Sequence, residues 1–388
     1  MTSRRIPIAW VLLPVLSAAC GSGAGGDTVT IGFTGPLSGG AALYGRNVLD
    51  GLEMAVEDIN AAGGVRLGGR SVRLAIQALD DRYFPNESAT NAKRLVHQHG
   101  APVVFCPHSG GILAIQGFNA TAPPFLIGAY SSEPQILESG NPLTLMIPPK
   151  YVIYFDAFAR TMMERHGKRL GRIPGAHAYA KEWTKGFSAV WEAQGGTLLT
   201  NNEIDYNTTA DFSSVVSKAL SERPDVLFVG GPSQATALVI KAAREQGFTG
   251  GFAVMDQAKF EEMNKLVPMA MLENSVGVMP MIAHPDFRAV RFVEQYRRKK
   301  GPDRDPPREV SLTYGAMRIV ALAMELSGTA TDVHAIRARL DEAAATLPDD
   351  AKPSDIFGVD EFGHTRQRVI AAHVLGGKFV PLTLDPAN

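Results

Sequence analysis

The chain is poor in the features that mark catalysis, nucleic-acid binding and disulfide scaffolds. Cysteine is nearly absent, 2 in 388 residues; if Cys20 carries lipid, Cys106 has no intrachain partner and no disulfide framework exists. Excess charge is missing too: 38 basic and 39 acidic residues leave a formal net charge of −1. That balance excludes the concentrated positive face of a nucleic-acid binder. The one basic run, Arg297–Lys300, closes an amphipathic helix, where positive charge suits the helix C-terminus. Past the N-terminal leader, no apolar stretch approaches the roughly 20 residues that a membrane-spanning helix needs. The metal-binding patterns HExxH, paired CxxC and the EF-hand loop are absent. So are the GxSxG nucleophile elbow and the GxxxxGK[ST] phosphate loop, and GxGxxG does not follow the first strand. Without a catalytic constellation the expectation is a protein that is not an enzyme and carries no metal or cofactor. The adjacent carboxylates Asp80-Asp81 and Glu261-Glu262 read as solvated residues of turns or helices.

The N-terminus carries its own signal. Arg4 and Arg5 precede a short apolar run, Ile6 to Leu16, then Ser17-Ala18-Ala19-Cys20. A charged start, a brief apolar core and small residues predict an export signal over residues 1–20. Cys20 at its end is similar to a bacterial lipobox, with Ser17 where Leu is usual, which predicts lipidation of Cys20 and a membrane anchor. Plain cleavage near Ala19, with Cys20 incidental, is the alternative. The glycine-rich residues 21–27 suit a flexible tether. Cys106, in the apolar run Val103-Val104-Phe105-Cys106, reads as a small buried hydrophobe.

From Asp27 onward short apolar strands alternate with helices. Val29–Phe33 is a strand, and Val72, Leu74 and Ile76 alternate on another. Between them Val48, Leu52, Ala55 and Ile59 recur at helical spacing, ended by Gly63-Gly64. Val103–Cys106 and Phe125–Gly128 are continuous buried runs. A second series runs through a helix to about His166, a strand near Ala176–Tyr179, a helix from about Thr184, a helix over 212–220 capped by Asp211, and strands at Val226–Val229, Phe252–Val254 and Ser275–Met279. Such alternation predicts an α/β protein with parallel sheets covered on both faces. In open α/β sheets ligands bind beyond the carboxyl ends of the strands. The loop His108-Ser109-Gly110-Gly111 has that placement; Ser109 there is either a carboxylate donor or a plain helix cap.

The ordered motifs carry a family resemblance. Val29-Thr30-Ile31-Gly32 leads to Gly35-Pro36-Leu37-Ser38-Gly39, followed by Tyr44-Gly45, then Asp58-Ile59-Asn60-Ala61-Ala62-Gly63-Gly64. Asp80-Asp81, Pro85, Ala210-Asp211-Phe212-Ser213 and Asp225-Val226 through Gly230-Gly231 follow in register. The chain resembles the type I periplasmic binding proteins of ABC importers, specifically the branched-chain amino-acid (Leu/Ile/Val) receptors.

That resemblance implies two Rossmann-like lobes joined by three crossovers, with a ligand cleft between them. The lobes are expected at residues 28–146 with 282–365, and at 147–281 with 366–388. By motif position, Ser109 and Gly110 hold a ligand carboxylate, while the Tyr130 carbonyl and Ser132 contact its amino and carboxylate groups. Trp183 is the aromatic of the second lobe, Asp256 pairs with the ligand ammonium, and Tyr44 lines the side-chain pocket. The implied partners are a small polar solute and ABC permease subunits, with no nucleic acid, in the periplasm or at the cell surface. Departures are Pro232 in place of an aromatic, a loop at 107–111 without its serine run, and Glu309 near a usually apolar position. The ligand choices are an amino acid first, then amides or urea-like compounds, then aromatic carboxylates. A ligand sensor of the same fold is the other functional class.

Overall fold

The computed structural model describes residues 28–384. Two sheets organise it. The first takes β1 (Thr28–Gly35), β2 (Val65–Leu67), β3 (Arg70–Asp80), β4 (Val103–Cys106), β5 (Leu126–Ala129) and β6 (Thr144–Met146) in the order β2-β3-β1-β4-β5-β6. β1 pairs in parallel with β3 and β4, and β4, β5 and β6 continue in parallel, while β2 folds back antiparallel on β3. The inner strands β4 and β5 are buried along their whole length. This is why they appear as unbroken apolar runs rather than alternating ones.

The second sheet takes β7 (Arg169–Pro174), β8 (Thr197–Asn201), β9 (Val226–Gly230), β10 (Gly251–Val254) and β11 (Ser275–Val278). β12 (Ile356–Val359) and β13 (Thr365–Gln367) pair only with each other, and β14 (Ile370–Leu375) and β15 (Lys378–Thr383) complete the second sheet. β14 joins β11 antiparallel. The chain therefore passes to the second sheet after β6, returns to the first lobe after β11, and crosses again between β13 and β14. The first lobe's core gathers residues from both of its segments, from Ile31 to Ile147 and from Met281 to Val359. No helix among the described residues is long and apolar enough to cross a membrane.

Two elements differ from expectation. The strand expected near Ala176–Tyr179 lies earlier, at Arg169–Pro174, and the helix expected from Thr184 already begins at Ala178. His177 explains the early start: its Nδ1 accepts the Ala180 N–H at 3.3 Å and so satisfies one of the free amides of the first turn. The helix expected over 212–220 runs Ser213–Ser221 with Phe212 at its N-cap, and Asp211, one residue before that cap, accepts the Ser213 N–H through Oδ1 at 2.9 Å.

Helix Ala42–Ala61 crosses helix Arg308–Ser327 at glycine distance. A methyl group on Gly51 would lie 2.2 Å from Thr313 Oγ1 and 2.4 Å from the Val310 carbonyl. The Thr313 hydroxyl lies 3.0 Å from the Val48 carbonyl and 2.7 Å from that of Glu309. This crossing sets Tyr44 and Glu309 relative to one another. Gly51→Ala should therefore destabilise the protein by about 1–3 kcal/mol, since overpacking outweighs the better helix propensity of alanine. Denaturant unfolding checks this; equal or higher stability would contradict so close a crossing.

Candidate functional site

Loops that leave the carboxyl ends of strands in both sheets meet across a cleft. About 370 Å³ of non-atom space lies there, part of it open to solvent. The first lobe contributes Tyr44, Tyr83, His108, Ser109, Tyr130 and Ser132; the second contributes Tyr179, Asp256, Gln257 and Lys259.

Asp256 follows β10 and is met from both lobes. Ser132 Oγ donates to its Oδ2 at 2.6 Å, and the Tyr179 hydroxyl donates to Oδ1. The two hydroxyls are 2.5 Å apart. Tyr44 donates to the Pro107 carbonyl at 2.5 Å and approaches that of Tyr130 at 3.4 Å. Burial holds the Tyr44, Tyr130 and Tyr179 phenols well above the ordinary tyrosine range, so all three remain neutral donors.

The loop before helix Ser109–Gln116 is fixed from behind. His108 caps the helix: its Nδ1 accepts the Gly111 N–H at 3.1 Å, which leaves the proton on Nε2, 3.0 Å from Asp81 Oδ2. Ser88 and Thr34 also donate to that oxygen, at 2.7 and 3.2 Å. The amides of Gly111 and Ile112 are taken by His108. Those of Ser109 and Gly110 have no hydrogen-bond partner among the described residues. The capping role weighed for Ser109 thus belongs to His108, and Ser109 itself lines the cleft.

Asp81, Cys106 and His108 place ligand-type atoms within 4.8 Å of one another. Their chemistry does not suit a metal. Burial pushes the Cys106 thiol well up and keeps it protonated, and the histidine nitrogens are both committed. Asp81 is fully buried in this network, not solvated as expected from the sequence.

One site expectation needs correction. Trp183 does not line the cleft; it is fully buried in the second lobe's core, with its ring stacked on Phe228 at 5.0 Å and against Phe155 at 4.6 Å. Tyr179, one helical turn earlier, faces the cleft instead. At Gly110 a side chain would meet Pro85 at 2.9 Å, and its backbone amide is the group the sequence reading offered to a carboxylate. Tyr44, Ser109, Tyr130, Ser132 and Asp256 are brought together. Tyr83, His108, Tyr179, Gln257 and Lys259 are additions. Glu309 had stood out in the sequence as a charge near an apolar position, the available clue to Lys259. Cys20 lies outside the described residues.

Lys259 and Glu309 form an ion pair between the lobes, 2.7 Å long and almost completely buried. The other Lys259 donors go to the carbonyls of Asp256 and, at 3.1 Å, Gln257, so its three N–H groups are used. Burial works against the Lys259 charge, but Glu309 and Asp256 carry it above the ordinary lysine range. Burial pushes Glu309 up to about 7 despite Lys259. Nearby, Glu261 is buried with neither carboxyl oxygen hydrogen-bonded, again unlike the solvated acid expected. Burial, reinforced by Glu262 and Glu309, pushes it from 4.5 to about 8.

The sign of the linkage follows. Between pH 4.5 and about 8 the unfolded chain has lost the Glu261 proton while the folded chain retains it, so stability drains away as pH rises through that window. Glu261→Gln should match the wild type in thermal melts near pH 4.5 and exceed it by several degrees near pH 8. A constant difference across the window would contradict a protonated Glu261.

A family model described as periplasmic binding protein matches residues 28–378. The Leu/Ile/Val-binding protein BraC3 of Rhizobium johnstonii is 27% identical over 204 residues, which span 52% of this chain and 54% of that protein. The match therefore covers about half of that relative's length. Among solved structures, the branched-chain amino acid transporter substrate binding protein LivJ from Streptococcus pneumoniae, in complex with isoleucine, superposes with a TM-score of 0.77 at 20% identity, covering 93% of this chain and 100% of that one. An R. palustris ABC transporter solute binding protein in complex with benzoate also reaches 0.77, at 18% identity, covering 92% of this chain and 96% of that one. The two lobes, the cleft at their strand ends and the match over nearly the whole described chain place this protein in the periplasmic binding protein family.

Proposed function

We propose that this protein is the extracytoplasmic substrate-binding component of an ABC importer, and that it captures a small amino acid between its lobes and delivers it to a permease. The observation that carries this reading is the pairing of opposite chemistries across one cleft. On the first lobe, Ser109 and the uncommitted amides of Ser109 and Gly110 suit a carboxylate at the start of a helix. Across from them Asp256, held by Ser132 and Tyr179, suits an ammonium. A zwitterion leaving water needs both, because unpaired charges are costly to bury. Each Asp256 carboxyl oxygen accepts one hydroxyl among the described residues, and a carboxylate has room for about four donors. The solute can therefore add to this arrangement rather than replace it. A lipid anchor at Cys20 would hold the receptor at the membrane; it is part of the proposal and rests on the sequence pattern alone.

An aromatic carboxylate is the second reading. The tyrosines 44, 83, 130 and 179 that line the cleft favour it, as does the benzoate complex of the R. palustris neighbour. The two readings differ at Asp256, which serves an ammonium but not a simple carboxylate.

Thermal-shift and calorimetric titrations with amino acids and with benzoate-type acids test this. A ligand at about 100 times its Kd should stabilise the protein by about 2.7 kcal/mol, a shift of several degrees. Asp256→Asn should weaken an amino acid by more than about tenfold, or 1.4 kcal/mol, while hardly changing a simple carboxylate. Equal losses for both would remove the ammonium role, and binding of aromatic acids alone would favour the second reading.

A further inference from the structure

One end of the cleft is polar without being charged, and its chemistry does not suit an alkyl side chain. The turn after β3 carries Arg82 at φ 52° and Tyr83 at φ 70°, two consecutive non-glycine residues in the left-handed region. The preceding acids hold them there: Asp80 Oδ1 accepts the Arg82 N–H at 2.9 Å and Asp81 Oδ1 accepts the Tyr83 N–H at 3.0 Å. Asp81 is in turn fixed by Thr34, Ser88 and His108. The outcome is a Tyr83 ring placed between the lobes, 4.7 Å from the ring of His108 and 5.6 Å from that of His177.

Tyr83 meets Gln257 from the second lobe, whose Nε2 donates to the phenol oxygen at 3.1 Å. Gln257 is 6% exposed, lines the cleft, and its Oε1 is buried with no hydrogen-bond partner. The Tyr83 hydroxyl proton likewise has no acceptor among the described residues. The pair therefore leaves an acceptor, Gln257 Oε1, beside two donors, the Tyr83 O–H and the second Nε2–H. Reversing the carboxamide still leaves both kinds of group, since the free ones become the two Nε2–H donors and a phenol lone pair. Both groups are neutral: burial raises the Tyr83 phenol well above the ordinary range. The neighbouring His177 is kept uncharged as well, lowered to about 4 mainly by burial; its Nδ1 takes the Ala180 N–H, so its buried Nε2 carries the proton and is a further donor beside Gln257.

We propose that Tyr83 and Gln257 read the far end of the solute, and that they select a neutral group able both to donate and to accept, a carboxamide above all. A carboxamide C=O accepts from one member of the pair while its N–H donates to the other. An alkyl chain in the same place would leave two buried polar groups unpaired, which costs more than its contacts return. The inference rests on the amino-acid reading for the head of the solute, and concerns only its tail.

Calorimetric titration with asparagine, glutamine, isoleucine, leucine and propionamide tests it. The better of the two carboxamide amino acids should bind at least about tenfold more tightly than either aliphatic one. Tyr83→Phe and Gln257→Leu should erase that preference, weakening the carboxamide ligand at least about tenfold while leaving isoleucine within about threefold. Gln257→Glu, nearly isosteric, provides the same comparison should the leucine variant fold poorly. Tighter binding of isoleucine or leucine by the wild type would overturn the inference and leave the amino-acid reading intact. Equal losses for both ligand types in the variants would overturn it too, reducing the pair to a lobe contact. Binding of propionamide with no amino acid bound would instead sink the zwitterion reading while supporting the tail assignment. Failure of every carboxamide probe would end the proposal.

Discussion

The carboxyl group of Asp256, received by a serine from one lobe and a tyrosine from the other, is the contact on which the geometry of the cleft depends. Ser132 leaves the end of β5 and Tyr179 begins the helix after β7, so the two hydroxyls can reach one acid only when the strand ends of both sheets face each other. Each sheet presents its carboxyl edge because its strands are parallel and their helices return the chain to the opposite edge. The cleft is thus a consequence of sheet topology, and its polar residues need only occupy loops that the topology already brings together.

Lys259 and Glu309 add a second bridge of a different kind. An ion pair this deep loses hydration on both partners, so it contributes little net stability even at 2.7 Å. Its effect is greater on register: a lobe orientation that separated the pair would strand a buried charge. Glu261 sits beside it unpartnered and resists ionisation, which keeps the junction from accumulating negative charge. Asn47, on the first lobe, donates to Glu262 at 2.6 Å and spreads the contact outward. Around the cleft, therefore, the Lys259 and Glu309 charges are consumed by one another, while neutral hydroxyls and the Asp256 carboxylate line the space between the lobes.

Much of the fold was legible because the inner strands are buried on both faces and have to be apolar throughout. Val103–Cys106, Val226–Gly230 and Gly251–Val254 announced themselves in this way. β7 did not, since Arg169 and Arg172 interrupt it, and Arg172 is accommodated by donating to the Leu199 carbonyl at 2.6 Å. Missing that strand displaced the following helix, and the displacement cost Tyr179. Tyr179 and Trp183 are four residues apart on one helical face, about 6 Å along the axis. That distance separates the edge of the cleft from the interior of the lobe, and nothing local distinguishes the two. Burial of single acids was equally invisible: Asp80 and Asp81 are neighbours in sequence, yet one is exposed and the other wholly enclosed. Their difference comes from Thr34, Ser88 and His108, residues up to 47 positions away. Tyr83 and Gln257 meet across 174 positions, a pairing that periodicity cannot reveal.

Capture by closure of the two lobes is the central claim, and small-angle X-ray scattering measures it most directly. Titrating the wild type with the amino acid that binds best should reduce its radius of gyration, and Tyr179→Phe should blunt that response by loosening the Asp256 bridge. A scattering profile unchanged by a solute that calorimetry shows to be bound would contradict the account.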